Sequence, residues 1–310
     1  MGATKTRPGP ALRGTLTALV TPFRKGEIDW DRFGKQIDRQ LEAGVDGLVP
    51  AGTTGESPTL SFEEHEQVVA FVVERVDRRV PVVPGVGTNS TSESVRLAKA
   101  AKAAGAPAGL CVVPYYNRPG PQGLVDHFRR VWEESGLPLC IYNIPSRTGT
   151  GITADVYDRL AGIEGCFAVK EASGDLNLAS HLAAHHDMAV LSGDDSLTVP
   201  MMAIGASGVI SVASNVLPAE MKMVTDAALT DDGVQARNLH RRLFPVFRAL
   251  FLETNPIPVK CALRLLDLDS GEVRLPMTAA SGKTEEALRA QLQALGMLGA
   301  ELDHYIDPRD

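Results

Sequence analysis

The stretch Cys166-Phe167-Ala168-Val169-Lys170-Glu171-Ala172-Ser173 is apolar until it reaches an ammonium group at its inner end. An apolar run without polar alternation suits a strand buried on both faces, as in a parallel sheet. Carrying a lysine into such a strand costs several kcal/mol unless the amine is paired or loses its proton. A lysine held towards its neutral form is a nucleophile that condenses with a ketone to give an imine. The plainer alternative is that Lys170 pairs with Glu171 or reaches past the strand end. The rest of the chain argues against that alternative.

Outward from this run the same pattern recurs: a short apolar segment, a turn rich in Gly, Pro or Asn, then an amphipathic stretch. Strand-like runs fall at 14–23, 47–52, 80–87, 109–117, 138–145, 166–173, 188–194 and 208–215. Helical patterns lie between them, at 31–43, 61–76, 91–104, 122–135 and 176–185 among others. Alternation of strand and helix indicates βα units. Eight such units predict an α/β fold, a (β/α)8 TIM barrel over 14–231. Past Pro218 the strand signal stops, and 232–252, 256–266 and 283–298 read as helices. They predict a C-terminal helical extension over 232–310, while residues 1–13 read as a flexible tail. A doubly wound open sheet is the rival fold. Gly85-Val86-Gly87-Thr88-Asn89 lacks the third glycine and the acidic partner of a dinucleotide site.

The composition, 44% hydrophobic and 22% charged over 310 residues, is that of a globular protein. Thirty-one basic against 38 acidic side chains leave a formal charge of −7, which argues against nucleic acid or an anionic membrane as partner. No apolar run is long enough to span a bilayer, and the polar start lacks a signal-peptide core, so a cytoplasmic location is expected. Cys111, Cys140, Cys166 and Cys261 have no metal-ligand spacing and read as reduced core thiols. His181 and His185 stand four apart on a helical pattern, a spacing that can bind a metal. With His186 adjacent on a polar outer helix they read as solvent-facing imidazoles, and no metal is expected.

In a barrel of this kind chemistry gathers where strands run into the following loops. Those positions carry Thr21-Pro22-Phe23, Gly52-Thr53-Thr54-Gly55-Glu56-Ser57, Pro114-Tyr115-Tyr116-Asn117, Tyr142 to Gly149, Ser192-Gly193-Asp194-Asp195 and Ile210-Ser211. An imine-forming lysine needs a proton donor and acceptor nearby, and tyrosine can serve. Glycine-flanked hydroxyls and backbone N–H groups at 52–55 suit a keto-acid carboxylate. The planar fork of Arg147 suits a second carboxylate. Each has a plainer reading: Thr53 and Thr54 as helix caps, Tyr115 and Tyr116 as rim or oligomer contacts, Arg147 as a surface ion pair.

With Lys170-Glu171-Ala172-Ser173-Gly174 and Asn255-Pro256-Ile257-Pro258-Val259-Lys260, these motifs resemble the dihydrodipicolinate synthase family, from about residue 14 to residue 277. That family lies among the pyruvate-dependent, Schiff-base-forming aldolases, which include N-acetylneuraminate lyase. The resemblance implies that Lys170 forms the imine with pyruvate and needs no further cofactor. Tyr142 would shuttle protons, linked through Thr53 to Tyr116 of a neighbouring subunit. Thr54 would hold the pyruvate carboxylate, Gly193 and Ile210 would line its pocket, and Arg147 would recognise L-aspartate-4-semialdehyde. The product would enter the diaminopimelate route to lysine. An allosteric lysine cleft would fall on Ser57, Pro58, Phe62, His65, Asn89, Glu93 and Tyr115, with Phe62 standing where lysine-sensitive bacterial members have His. Weak or moderate lysine inhibition is expected. The family implies a homotetramer, a dimer of dimers. N-acetylneuraminate-type lyases and 2-keto-3-deoxygluconate aldolases are the alternative, disfavoured by the intact Arg147. A catalytically silent sensor is a further one, and every relay position is filled.

Overall fold

The computed structural model describes residues 7–298. Residues 1–6 of the expected tail and 299–310 of the expected extension lie outside that range. Seven strands, Gly14–Ala18, Gly47–Val49, Gly109–Val112, Leu139–Asn143, Cys166–Glu171, Ala189–Ser192 and Gly208–Ser211, form one parallel sheet. The sheet runs from Gly47–Val49 through Gly14–Ala18, Gly208–Ser211, Ala189–Ser192, Cys166–Glu171 and Leu139–Asn143 to Gly109–Val112.

The expected strand at 80–87 needs correction. It forms no continuous ladder, only the parallel bridges Leu48↔Val82 and Gly85↔Leu110. These still close the barrel. Val83 N–H donates to the Leu48 carbonyl at 2.8 Å, and Val86 N–H donates to the Leu110 carbonyl at 2.8 Å. Pro81 and Pro84 have no N–H to give, which interrupts the ladder on both sides. The glycine pair in this segment serves the seam. A Cβ on Gly85 would stand 2.2 Å from the Ala51 carbonyl oxygen, and one on Gly87 would stand 2.3 Å from the Val112 nitrogen.

Helices Trp30–Glu42, Phe62–Val76, Thr91–Ala103, Pro121–Ser135, Ala154–Leu160, Leu176–His185, Thr198–Ala203 and Pro218–Leu229 surround the sheet. Several starts are legible in the sequence. Ser61 and Glu64 form a reciprocal capping box, and Asp29, Ser90 and Asp175 cap theirs through side-chain oxygens. Each such cap is worth roughly 1 kcal/mol. Gly233–Ala249, Ile257–Leu265 and Gly282–Ala294 follow. Val20 and Val209 of the barrel share one apolar cluster with Leu243, Val259 and Leu288 of these last helices. The cap is therefore packed into the barrel rather than standing apart from it.

Side chains alternate across the strands, so period two sorts them by face. Leu16, Ala18, Val49, Val83, Leu110, Cys140, Tyr142, Ala168, Leu191 and Ile210 meet inside the barrel. Val169, one residue on from Ala168, belongs to the outer apolar cluster that also holds Phe33, Val68 and Phe128. All four cysteines are buried and free, and burial pushes the Cys140 and Cys166 thiols up to about 12. They are inert core residues.

Candidate functional site

Lys170 lies on the inward face of its strand and is 4% exposed. It is in register with Tyr142 on the adjoining strand, and its ammonium lies 4.4 Å from the Tyr142 ring centroid. Among the described residues no carboxylate forms an ion pair with it. Glu171 points to the other face, where its carboxylate accepts from Asn143 Nδ2 at 3.0 Å, Tyr157 Oη at 3.0 Å and the Ser173 N–H at 2.7 Å. Pairing with Glu171 is thereby excluded. Beside the stem, a Cβ at Gly193 would stand 3.2 Å from Lys170 Cε and 2.6 Å from Ala172 Cβ, so the position has room only for hydrogen. Ile210 belongs to the same interior cluster as Tyr142.

The loop carrying Thr53 and Thr54 is held from the C-terminal cap by Lys260, which the sequence motifs contained without revealing its role, and by Arg274, which they did not contain. Lys260, fully buried, donates to Glu56 Oε1 at 2.7 Å and to the Thr21 carbonyl at 2.8 Å. Glu56 Oε2 accepts from the Arg274 N–H at 3.0 Å, and Thr21 Oγ1 donates to the Gly55 carbonyl at 2.8 Å. Burial pulls the Lys260 ammonium below its ordinary range, and the Glu56 charge opposes that shift. A buried lysine and a buried glutamate, each lacking a local partner, are the signal that could have linked them.

Asn255, also from the cap, reaches both expected carboxylate sites. Its Nδ2 donates to Thr54 Oγ1 at 2.9 Å, and its carbonyl accepts from Arg147 Nη2 at 2.8 Å. Arg147 sits in a short helix, Pro145–Thr148, directly after the Tyr142 strand. The residue is exposed overall and lines a cavity of about 220 Å³ that Thr53 also lines.

Ser57, Pro58, His65 and Tyr115 line the same cavity. Asn89 and Glu93 do not line it, but both act on Tyr115, whose hydroxyl is pushed up mainly by burial and further by the Glu93 charge. His65 donates Nε2–H to the Gly85 carbonyl at 2.7 Å, and burial lowers its pKa. Phe62 carries the Arg96 guanidinium 4.2 Å over its ring. Tyr116 is placed differently. At φ 68° its side chain turns out from the barrel and is 90% exposed. Among the described residues no hydrogen bond joins Tyr142, Thr53 and Tyr116 within one chain.

The histidine pair read from spacing does not converge as a pair. His185 stacks on His181 with ring centroids 4.6 Å apart, while His181 and His186 both turn to Asp158, on the outer helices.

The dihydrodipicolinate synthetase family profile matches residues 11–295. A relative from Methanothrix thermoacetophila, named 4-hydroxy-tetrahydrodipicolinate synthase, is 47% identical over 294 residues, 94% of this chain and 99% of its own. The crystal structure of dihydrodipicolinate synthase from Aquifex aeolicus superposes with a TM-score of 0.91 at 46% identity, covering 92% of this chain and 99% of that one. The chloride-inhibited enzyme from Acinetobacter baumannii, complexed with pyruvate, superposes with a TM-score of 0.91 at 40% identity, covering 93% and 100%. The match takes in the lysine strand, the threonine loop and the helical cap together, so the chain belongs to the dihydrodipicolinate synthetase family and is a lyase that makes 4-hydroxy-tetrahydrodipicolinate, in the diaminopimelate route to lysine.

Proposed function

We propose that Lys170 carries the reaction as the imine-forming residue, with pyruvate and L-aspartate-4-semialdehyde as substrates and no cofactor beyond the imine itself. The observation that carries this reading is a buried amine with no carboxylate partner among the described residues, facing a tyrosine in register. The Lys170 amine, once it has given up its proton, adds to C2 of pyruvate, and the carbinolamine loses water to give the imine. Loss of a C3 proton gives an enamine, whose C3 attacks the aldehyde carbon. The substrate's own amine then displaces Lys170 and closes the ring, so one water is released per turnover. Tyr142 is suited to carry the protons. Thr54 would hold the pyruvate carboxylate and Arg147 that of the aldehyde, since a guanidinium fork matches a carboxylate.

The outward Tyr116 fits a role in a neighbouring subunit's site and supports assembly as a dimer at least, while the dimer of dimers rests on the family resemblance alone. Sedimentation of the purified protein tests this. Among the described residues no helix is long and apolar enough to cross a membrane. A cytoplasmic location accords with the substrates. The cavity shared by Ser57, His65 and Tyr115 with Thr53 and Arg147 supports feedback by lysine, a cation that Glu93 beside Tyr115 would attract. A rate that stays flat up to millimolar lysine would dispose of that part. For the whole reading, borohydride treatment with pyruvate should add one reduced pyruvate to the wild-type mass and none to Lys170→Ala. An unmodified wild type would overturn it.

A further inference from the structure

We propose that Asp158, His181 and His186 form a binding site for one divalent transition-metal ion, of the zinc, cobalt or nickel class, on the outer face of the barrel. Asp158 lies on the helix Ala154–Leu160, His181 lies on Leu176–His185, and His186 is that helix's C-cap. One carboxylate oxygen, Asp158 Oδ1, is 2.9 Å from His181 Nε2 and 2.9 Å from His186 Nε2. The three donor atoms all lie within 4.8 Å of one another.

Around a tetrahedral ion with ligand distances of roughly 2.0–2.2 Å, neighbouring donors stand about 3.3 Å apart. The two Asp158–imidazole separations need to open by only a few tenths of an ångström, and the two imidazole nitrogens, within 4.8 Å of each other, come to that spacing by small side-chain rotations. Two imidazoles and one carboxylate suit zinc, cobalt and nickel, whereas magnesium and calcium take oxygen ligands. The side chains of His181 and His186 are 28% and 9% exposed, against 53% for Asp158. The cup is thus recessed on the histidine side and open on the other, where water would complete the coordination.

His185 supports the cup without joining it. Its Nδ1 donates to the His181 carbonyl at 3.0 Å, and its ring covers one face of the His181 imidazole. Without metal, each facing imidazole can donate Nε2–H to the carboxylate. Binding requires that proton to move to Nδ1, or to leave if the ring is charged, which frees the Nε2 lone pair. No electron transfer is involved. The ion would fasten two neighbouring outer helices together, remote from the barrel interior that holds Lys170.

The test uses the full chain, stripped with a chelator and titrated with Co²⁺ alone. One equivalent should give the visible d–d absorption of a low-coordinate nitrogen-and-oxygen site, and Zn²⁺ should abolish it. Zn²⁺ should also raise Tm. His181→Gln and His186→Gln should each weaken binding at least ten-fold and lose the Tm shift, while borohydride trapping of pyruvate is retained, showing that the barrel is intact. Absence of the absorption, or undiminished binding in both variants, overturns the site.

Discussion

Lys260 and Glu56 meet at 2.7 Å with neither side chain exposed, 204 positions apart in the chain. The pair ties the first residue after the Thr53-Thr54-Gly55 loop to a helix of the C-terminal cap. It also contrasts with Lys170: among the described residues both lysines are buried, but only Lys260 has a carboxylate partner.

Removing one partner strands the other as a buried charge, a loss of roughly 3–5 kcal/mol, whereas removing both is often nearly neutral. Lys260→Met should therefore be strongly destabilised in urea unfolding, and Glu56→Gln combined with Lys260→Met should recover most of the loss. The recovered protein should still show a raised KM for pyruvate, because the threonine loop has lost its anchor. Additive losses in the double variant would contradict this account.

Asn255→Ala removes the donor to Thr54 while leaving the backbone carbonyl that accepts from Arg147. One hydrogen bond of this kind is worth about 1 kcal/mol. The expected result is a fall of about five- to ten-fold in kcat/KM for pyruvate, with KM for the aldehyde little changed. An effect confined to the aldehyde would reverse the assignment of the two carboxylate sites.

Tyr116 is exposed in the single chain, so Tyr116→Phe should leave Tm unchanged. If the phenol completes a neighbour's proton relay, kcat should drop by about 10²-fold or more. Mixing and reassembling Tyr116→Phe with Lys170→Ala subunits should restore activity, since one site of each mixed pair is then whole. Failure to restore it sinks the trans arrangement.

His127 is buried, with Nδ1 3.0 Å from Thr91 Oγ1 and Nε2 near Cys111 Sγ, and burial lowers its pKa to about 4. The unfolded chain binds a proton below about pH 6.5 while the folded chain does not until about pH 4. Stability contributed by the neutral ring is complete above pH 6.5 and is lost progressively down to pH 4. A shift of that size corresponds to about 3 kcal/mol. His127→Gln should flatten the decline in unfolding free energy between those limits. An unchanged pH profile would place the acid sensitivity elsewhere.

Local and periodic features carried over well from sequence to structure. Seven expected strand runs contain the observed ones, because apolar runs bounded by glycine and proline need no distant partner to be recognised. The capping box of Ser61 and Glu64 is a local feature of the same kind, set by residues three apart. The run at 80–87 misled for a local reason too, since Pro81 and Pro84 cost it the ladder that its hydrophobicity suggested.

By itself the sequence determined the alternation of strand and helix, the inward lysine with its neighbouring motifs, and therefore the barrel and its family. Only the tertiary structure decided who meets whom: Glu171 turned from Lys170 towards Tyr157, Glu56 clasped by Lys260, Asn255 bridging Thr54 and Arg147, His186 joining His181 at Asp158. The reason is that patterning records which face of an element is apolar, through interactions a few residues long. Hydrogen bonds and ion pairs are short and directional, so their partners become defined only when packing brings distant segments within about 3 Å.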